Sequence, residues 1–268
     1  MGTDDTTASQ NASSATGDNN VTACMLIIGN EVLSGRTQDK NLSFLGTALG
    51  EIGIDMREAR IIPDDPAIIV ETLNTCRARF DYVFTTGGIG PTHDDITADC
   101  VAEAFGVPLE YHPEAMARLT AHYETMGTEF NEARQRMARI PKGGGLIDNP
   151  VSTAPGFVIE NVYVMAGVPK IMQAMAENIL PTLKGGEQLS SITVSAQVPE
   201  GQIAAAMGAL QGEYEDVNLG LYPFYGPAGA GVSVVARARD QVRLSAVEAR
   251  VIAYLDEIGA ERVARPQK

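Results

Sequence analysis

The chain has 268 residues, 44% hydrophobic and 20% charged, the balance of an ordinary globular protein with room for one large core or two domains. A formal net charge of −14 argues against a broad nucleic-acid or anionic-membrane surface, and an aromatic content of 6% with no Trp fits poorly with a base-stacking platform. No apolar run reaches membrane-spanning length. Neither membrane nor nucleic acid is therefore expected as a partner, whereas a small phosphorylated ligand needs only a local positive field.

Residues 1–20 are Thr, Ser, Asn, Asp, Gly and Ala in the main, with no basic segment and no apolar core. They read as a disordered leader rather than a secretory signal, which places the protein in the cytoplasm. Cys24, Cys76 and Cys100 are isolated, odd in number and set in apolar patterns. They are expected as small buried hydrophobes in a reducing compartment, because no CxxC spacing offers a zinc site.

Val21 to Ile28 is an apolar run that stops at Gly29, and it reads as the first strand. Leu42, Leu45, Leu49 and Ile52 fall at helical spacing over 41–52, with Gly53 closing the helix. A second strand, 55–62, ends at Pro63; Asp64-Asp65-Pro66 then opens a helix running to Arg79, with proline at an early helical position. A third strand, 81–85, leads into Thr85-Thr-Gly-Gly-Ile-Gly-Pro-Thr-His-Asp-Asp-Ile-Thr97 and a helix over 98–105. Strand and helix alternating at this spacing make βαβ units, hence a mostly parallel sheet covered on both faces.

The glycine segment carries the strongest chemical signal. Gly87, Gly88 and Gly90 allow a sharp turn that leaves amides bare, and the following helix presents free N–H groups and a positive dipole end. Asp94 and Asp95 stand where phosphate would arrive; being anionic, they read as holding a divalent metal that bridges to phosphate or as binding a polar ring. Ligands of open α/β sheets sit outside the carboxyl ends of the strands. Gly29, Pro63 and Gly87 mark three such ends, so Asn30-Glu31, Asp64-Asp65 and Asp94-Asp95 are expected to converge on one rim.

Further on, 113–126 and 129–138 read as helices carrying Arg118, Arg134 and Arg136, with Arg139 just beyond. Residues 140–146 read as a turn, 157–165 as a hairpin turning at Asn161, and 170–180 as a helix opened by Ala166-Gly-Val-Pro. Composition changes at Lys184-Gly-Gly-Glu, which sets the end of a domain over 21–184. Residues 190–262 then read strand, helix, strand, Gly/Pro turn (226–231), strand, helix: a small α+β domain. The glycines of 226–231 lie between strands rather than before a helix and read as a plain turn.

These stretches, in this order, resemble the molybdopterin-binding (MoaB/Mog-type) superfamily of molybdenum-cofactor biosynthesis, and within it the competence/damage-inducible protein A type. The resemblance rests on Ile28-Gly-Asn-Glu-Val-Leu-Ser-Gly-Arg-Thr-Gln-Asp-Lys-Asn41, Ile62-Pro-Asp-Asp65, the glycine–aspartate run from Thr86, Asn149-Pro-Val-Ser-Thr-Ala-Pro-Gly-Phe157 and Gly167-Val-Pro169. It covers about residues 22–182, and Glu200-Gly-Gln-Ile-Ala204 with Gly220-Leu-Tyr-Pro223 extends it to the small domain that follows in that branch. An amidase domain found in longer members is not matched, so no amidase activity is carried over. The resemblance implies a three-layer α/β/α sandwich that binds molybdopterin or a nucleotide-like ligand, with a divalent metal, in a dimer or trimer. It implies one of three functions: a cofactor-binding or cofactor-processing protein, a metal-dependent nucleotide pyrophosphatase of the ADP-ribose or FAD type, or a non-catalytic binding module. Ala166 and Ile171 stand where relatives carry Pro and Glu; the missing Glu weakens metal-dependent hydrolysis relative to ligand binding.

On this resemblance Asp95 and Asp64 are the candidate catalytic residues, and Asp95, Asp94 and Asp64 the candidate metal ligands; as plain structure, Asp95 and Asp64 are helix caps. Gly87, Gly88 and Gly90 shape the phosphate loop. Thr86 and Thr92 either offer hydroxyls or cap the turn, and Glu31 orients the ligand or is a solvated charge. Ser152 and Gly156 are candidate ligand contacts. His93, Asn41 and Asp39 are weaker candidates, and Lys142 or Arg134 is a source of positive charge against phosphate.

Overall fold

The computed structural model describes residues 20–226 and 229–264; the expected leader, apart from Asn20, lies outside them. In chain order the elements are β1 (Val21–Ile28), α1 (Asn30–Leu33), α2 (Asn41–Glu51), β2 (Ile54–Ile62), α3 (Pro66–Arg77), β3 (Tyr82–Thr86), α4 (Thr97–Phe105), β4 (Leu109–Tyr111), α5 (Pro113–Thr125) and α6 (Glu132–Gln135). After a 3-10 turn over Arg136–Ala138 come β5 (Arg139–Pro141), β6 (Gly145–Ile147), β7 (Gly156–Ile159), β8 (Val162–Met165) and α7 (Pro169–Ile179). The remainder is β9 (Ser190–Gln197), α8 (Glu200–Glu213), β10 (Asn218–Gly226), β11 (Gly229–Ala238), α9 (Gln241–Glu257) and β12 (Glu261–Val263).

Six strands form the main sheet in the order β2-β1-β3-β8-β7-β6. The first three pairings are parallel and the last two antiparallel. β1 is covered on both faces, which is why it reads as one unbroken apolar run. Its Cys24, Leu26 and Ile28 pack with Ile69, Leu73 and Cys76 of α3 and with Val101 and Ala104 of α4. Its Ala23, Met25 and Ile27 face Leu45 and Leu49 of α2 and Met172, Met175 and Ile179 of α7. The result is the three-layer α/β/α sandwich expected from the alternation of elements. β2 lies on one side of β1 and β3 on the other, so the strand order reverses at β1.

Local signals place several helix ends. Asp65 caps α3, its carboxylate accepting from the Ile68 amide at 3.1 Å, with Pro66 following. Asn131 caps α6 by accepting from the Arg134 amide. That cap shortens the helix expected over 129–138 to a single α-turn followed by a 3-10 turn. The expected turn at 140–146 is two short strands around a tighter turn: β5 pairs with β4 and β6 with β7. The cysteines are free and buried, as expected. Cys24 and Cys76 meet at 3.5 Å between their Sγ atoms, and this bond, together with burial, holds the Cys24 thiol protonated. Burial and the neighbouring Asp99 push Cys100 up to about 11.

A second core belongs to residues from β9 onward, among them Val194, Ile203, Met207, Val234, Val247 and Leu255. Its sheet order, β10-β11-β9-β12, is antiparallel throughout, and the chain order β-α-β-β-α-β is that of a ferredoxin-like unit. Pairing of Gly226 with Gly229 extends the hairpin through most of the turn expected at 226–231, whose middle residues 227–228 lie outside the described residues. This unit meets the sandwich at the amino ends of its strands. Arg239 pairs with Asp55 at 3.0 Å, the Gly186 amide donates to the Gly53 carbonyl at 3.2 Å, and the Lys184 amide donates to the Tyr82 hydroxyl at 2.9 Å. A cleft of about 1320 Å³ beside these contacts runs between β2 and the small unit, lined by Asp55, Arg57, Ser191, Asn218 and Arg237.

At the same amino end, Asp81 ties the start of β3 to β1 by accepting from the Thr22 hydroxyl at 2.7 Å and the Thr22 amide at 2.8 Å. These bonds hold the Asp81 carboxyl below the usual range. The folded state thus favours its charged form, so the stabilisation is complete above about pH 4 and is lost as pH falls through the lower folded value. Asp81→Asn is expected to lower the melting temperature by a few degrees at pH 7 and to flatten its fall below pH 4, as measured by calorimetry across pH 2.5–7.

Candidate functional site

The carboxyl ends of β1, β3 and β8 meet at one place, and glycine makes the meeting possible. Gly87 follows β3 with φ of +102°, and a Cβ there would fall on the Ile28 carbonyl oxygen at the end of β1. Its amide donates to Met165 at the end of β8 at 3.2 Å, and the Gly167 position sits against the Gly87 Cα. Gly87 is therefore a hinge between strand ends, and its N–H is already engaged. The amides of Gly88, Ile89 and Gly90, by contrast, donate to no acceptor among the described residues. Three successive N–H groups ahead of α4 are thus left as donors without acceptors.

Asp95 locks this loop. Its Oδ2 accepts from the Thr92 amide at 2.7 Å and the Thr92 hydroxyl at 2.6 Å, and a Cβ at Gly90 would come within 2.7 Å of the same oxygen. The cap of α4 is Ile96, without a side-chain bond, so Asp95 closes a turn rather than capping that helix. The Thr92 hydroxyl lies 2.5 Å from Asp94, and this bond holds the Asp94 carboxyl low. Thr92 is thus consumed inside the loop. At the base of the loop, the Thr97 hydroxyl donates to the Gly87 carbonyl at 2.9 Å.

A crevice of about 40 Å³ opens between the ends of β1 and β3, lined by Glu31, Lys40, Asn41, Thr86 and Gly167 among others. It lies where the strand order reverses. Asn41, 3% exposed, donates its Nδ2 to the Gly167 carbonyl at 2.8 Å. A carbonyl only accepts, so the amide orientation is set and Oδ1 is the atom left without a partner. Thr86, 1% exposed, leaves its hydroxyl equally unpaired. Two orphaned polar groups on one crevice are an unmet demand for hydrogen bonds.

The remaining candidates separate. Asp64 joins the first corner of the rim by accepting from the Asn30 amide at 2.9 Å, whereas Asp94 and Asp95 are held within their own loop. Among the described residues no three His, Cys, Asp or Glu side chains gather around a common point, so Asp95, Asp94 and Asp64 do not fit a preformed metal site. Gly156 is buried in β7, where a Cβ would strike the Val164 carbonyl; sheet packing accounts for it. Ser152 belongs to a turn organised by Asn149, accepting from its Nδ2 at 2.6 Å and donating its amide to Oδ1 at 3.1 Å. The His93 side chain is 98% exposed. Lys142 pairs with Glu110, and Arg134 lies over the Tyr123 ring, so neither faces the loop. The cations beside it are Lys40, in the crevice, and Arg136 and Arg139, which line a small void with Gly88 and Gly90. Lys40 lies between two sequence candidates, Asp39 and Asn41, whereas only the 3-10 turn and β5 bring Arg136 and Arg139 there.

The family model described as a probable molybdopterin binding domain matches residues 24–185. The chain belongs to this molybdopterin-binding family. A second model, the middle domain of FAD synthase, matches residues 188–263, the ferredoxin-like unit; no amidase is matched there. A protein of Caldivirga maquilingensis is 37% identical over 166 residues, 60% of this chain and 65% of its own length. A CinA-like protein of Citrifermentans bemidjiense is 40% identical over 166 residues, 60% of this chain and 40% of its own. The chain thus spans less than two thirds of the length of these relatives. Among solved structures, CinA of Thermoplasma acidophilum, a protein of unknown function, superposes with a TM-score of 0.57 at 32% identity, over 61% of this chain and 98% of that one. The molybdopterin-binding domain is therefore of the type that opens CinA. Among the described residues no helix is long and apolar enough to cross a membrane.

The hinge role of Gly87 is open to a direct comparison. Gly106 also has positive φ, +64°, but nothing lies within 4 Å of its added Cβ. Gly106→Ala is expected to cost about 1 kcal/mol, the backbone penalty alone. Gly87→Ala must also displace the Ile28 carbonyl and is expected to cost about 3 kcal/mol or more. Urea denaturation midpoints of the two variants measure the difference.

Proposed function

We propose that the rim binds a phosphorylated pterin or nucleotide, with its phosphate on the glycine loop and the polar edge of its ring in the crevice between β1 and β3. The observation that carries this reading is the pair of buried, unpartnered groups, Asn41 Oδ1 and Thr86 Oγ1, beside a loop with three free amides. The amides of Gly88, Ile89 and Gly90 donate to phosphate oxygens, with the helix dipole of α4 behind them. Asn41 Oδ1 accepts from a ring N–H, the Thr86 hydroxyl answers a second ring atom, and the Glu31 carboxylate at the mouth accepts from an exocyclic amino group. A pterin carries such an N–H and amino edge, in keeping with the molybdopterin-binding domain. Asp95 and Asp64 keep the loop and the first corner in place.

The match of residues 188–263 to a domain of FAD synthase supports a nucleotide as the second reading, with cleavage of a pyrophosphate as its activity. Chromatography of ADP-ribose and FAD incubated with the protein, with and without divalent cations, separates the two: released AMP favours cleavage, and none under any cation removes it.

The binding site itself is tested by calorimetric titration with a phosphorylated pterin and with ADP-ribose. Asn41→Leu and Thr86→Val each remove one crevice partner and are expected to weaken whichever ligand binds by about tenfold, the worth of one hydrogen bond to a buried group. Unchanged affinity in both variants, with unfolding midpoints intact, would sink the crevice as the ring site.

A further inference from the structure

Four arginines, Arg118, Arg134, Arg136 and Arg139, lie on the segment from α5 to β5. Two are paired with carboxylates, and a third lies on a ring. Arg118 pairs with Glu114 at 2.6 Å and with Asp148. Arg139 grips Asp99 through both terminal nitrogens, at 3.2 and 2.9 Å. Arg134 stacks on Tyr123 at 4.7 Å and donates to the Glu129 carbonyl. Arg136 differs. It combines two traits: like Arg134 it has no carboxylate within ion-pair distance among the described residues, and like that of Arg139 its Nε is buried without a partner. Its one hydrogen bond runs from Nη2 to the Asp95 carbonyl at 3.4 Å.

Arg136 shares a void of about 10 Å³, the space of one water, with Gly88, Gly90 and Asp95. The void borders the glycine loop and shares no lining residue with the crevice that holds Asn41 and Thr86. A charged nitrogen withdrawn from water, as Nε is here, costs free energy unless a partner answers it. In a chain of net charge −14 carboxylates are plentiful, yet none is placed against this one. The groups that surround it include Gly88, Ile89 and Gly90, the residues whose amides are free.

We infer that Arg136 is the cationic backing of the phosphate loop: its charge is answered by the ligand's phosphate across the loop, and its bond to the Asp95 carbonyl holds the amides of Gly88–Gly90 in their anion-binding pose. It is a positioning residue, and the inference rests on the proposed phosphate site. It gives the site a preference for ligands with charged phosphates over the same rings without them, in spite of the acidic rim.

Titration with inorganic pyrophosphate, which has no ring, isolates this role. Arg136→Met keeps the length and apolar bulk of the side chain and is expected to weaken pyrophosphate binding by about ten- to a hundredfold, the range for a hydrogen bond or ion pair to a charged group. Arg136→Lys is expected to restore part of the affinity, and Arg118→Met, which removes a guanidinium paired with Glu114 and Asp148, to leave pyrophosphate binding unchanged. In the wild type and Arg136→Lys, affinity should fall as salt rises. If the wild type binds pyrophosphate and Arg136→Met binds it equally well, the backing role is wrong while the loop remains the phosphate site. If Arg136→Met and Arg118→Met lose pyrophosphate alike, Arg136 serves general structure only. Failure of the wild type to bind pyrophosphate would remove the phosphate site and this inference with it. Should Arg136→Met fold poorly, Arg136→Gln and Arg136→Lys carry the same comparison.

Discussion

The site depends on one close approach, the backbone of Gly87 against the carbonyl of Ile28. Two parallel strands, β1 and β3, end side by side there, and their connections leave in opposite directions because β2 occupies the far side of β1. A side chain at position 87 would push the two ends apart. Without one, the chain leaves β3 close to the neighbouring strand end and crosses toward α4 as a loop. Two small spaces flank this junction, the crevice lined by Asn41 and Thr86 and the void lined by Gly88, Gly90 and Arg136.

Charge is handled locally rather than globally. The protein is strongly acidic, and acidic side chains ring the rim, yet the carboxylates nearest the loop are occupied. Asp95 and Asp94 are turned onto Thr92, and Asp64 onto the Asn30 amide. Engaged in this way, they brace the backbone around the free N–H groups of the loop. A bare carboxylate at the same place would repel phosphate; one that accepts local hydrogen bonds repels it less and fixes the geometry besides. The ferredoxin-like unit stands at the opposite end of the sheet, joined through Asp55–Arg239, so within one chain it does not line the rim.

The legibility of each part follows from how local its cause is. β1 to β3 with their helices are visible in the sequence, because apolar period, proline and capping Asp act within a few residues. The three-residue strands β4, β5 and β6 and the turn-length α1 escaped, since their hydrogen-bond partners are remote and their own residues carry no period. The helix expected over 129–138 failed because the cap at Asn131 and the 3-10 turn at Arg136 override a helical pattern of residues. Ser152 and Gly156 were read as ligand contacts from their motif, but the Asn149 turn and the β7–β8 pairing account for them.

By itself the sequence determined the sandwich, the three strand ends that form the rim and the glycine loop beside it, because glycine, proline and apolar spacing constrain the backbone directly. Only the tertiary structure decided which polar atoms are free. Thr86 and Thr92 look alike in sequence, yet one hydroxyl faces the crevice unpaired and the other is consumed by Asp94 and Asp95. Arg134 and Arg136 are two residues apart, yet one lies on Tyr123 and the other beside the loop without an anion. Whether a side chain is satisfied depends on how the folded backbone aims its partners, two or three residues away for Thr92 and 41 for Arg136, and that information exists only once the chain has folded.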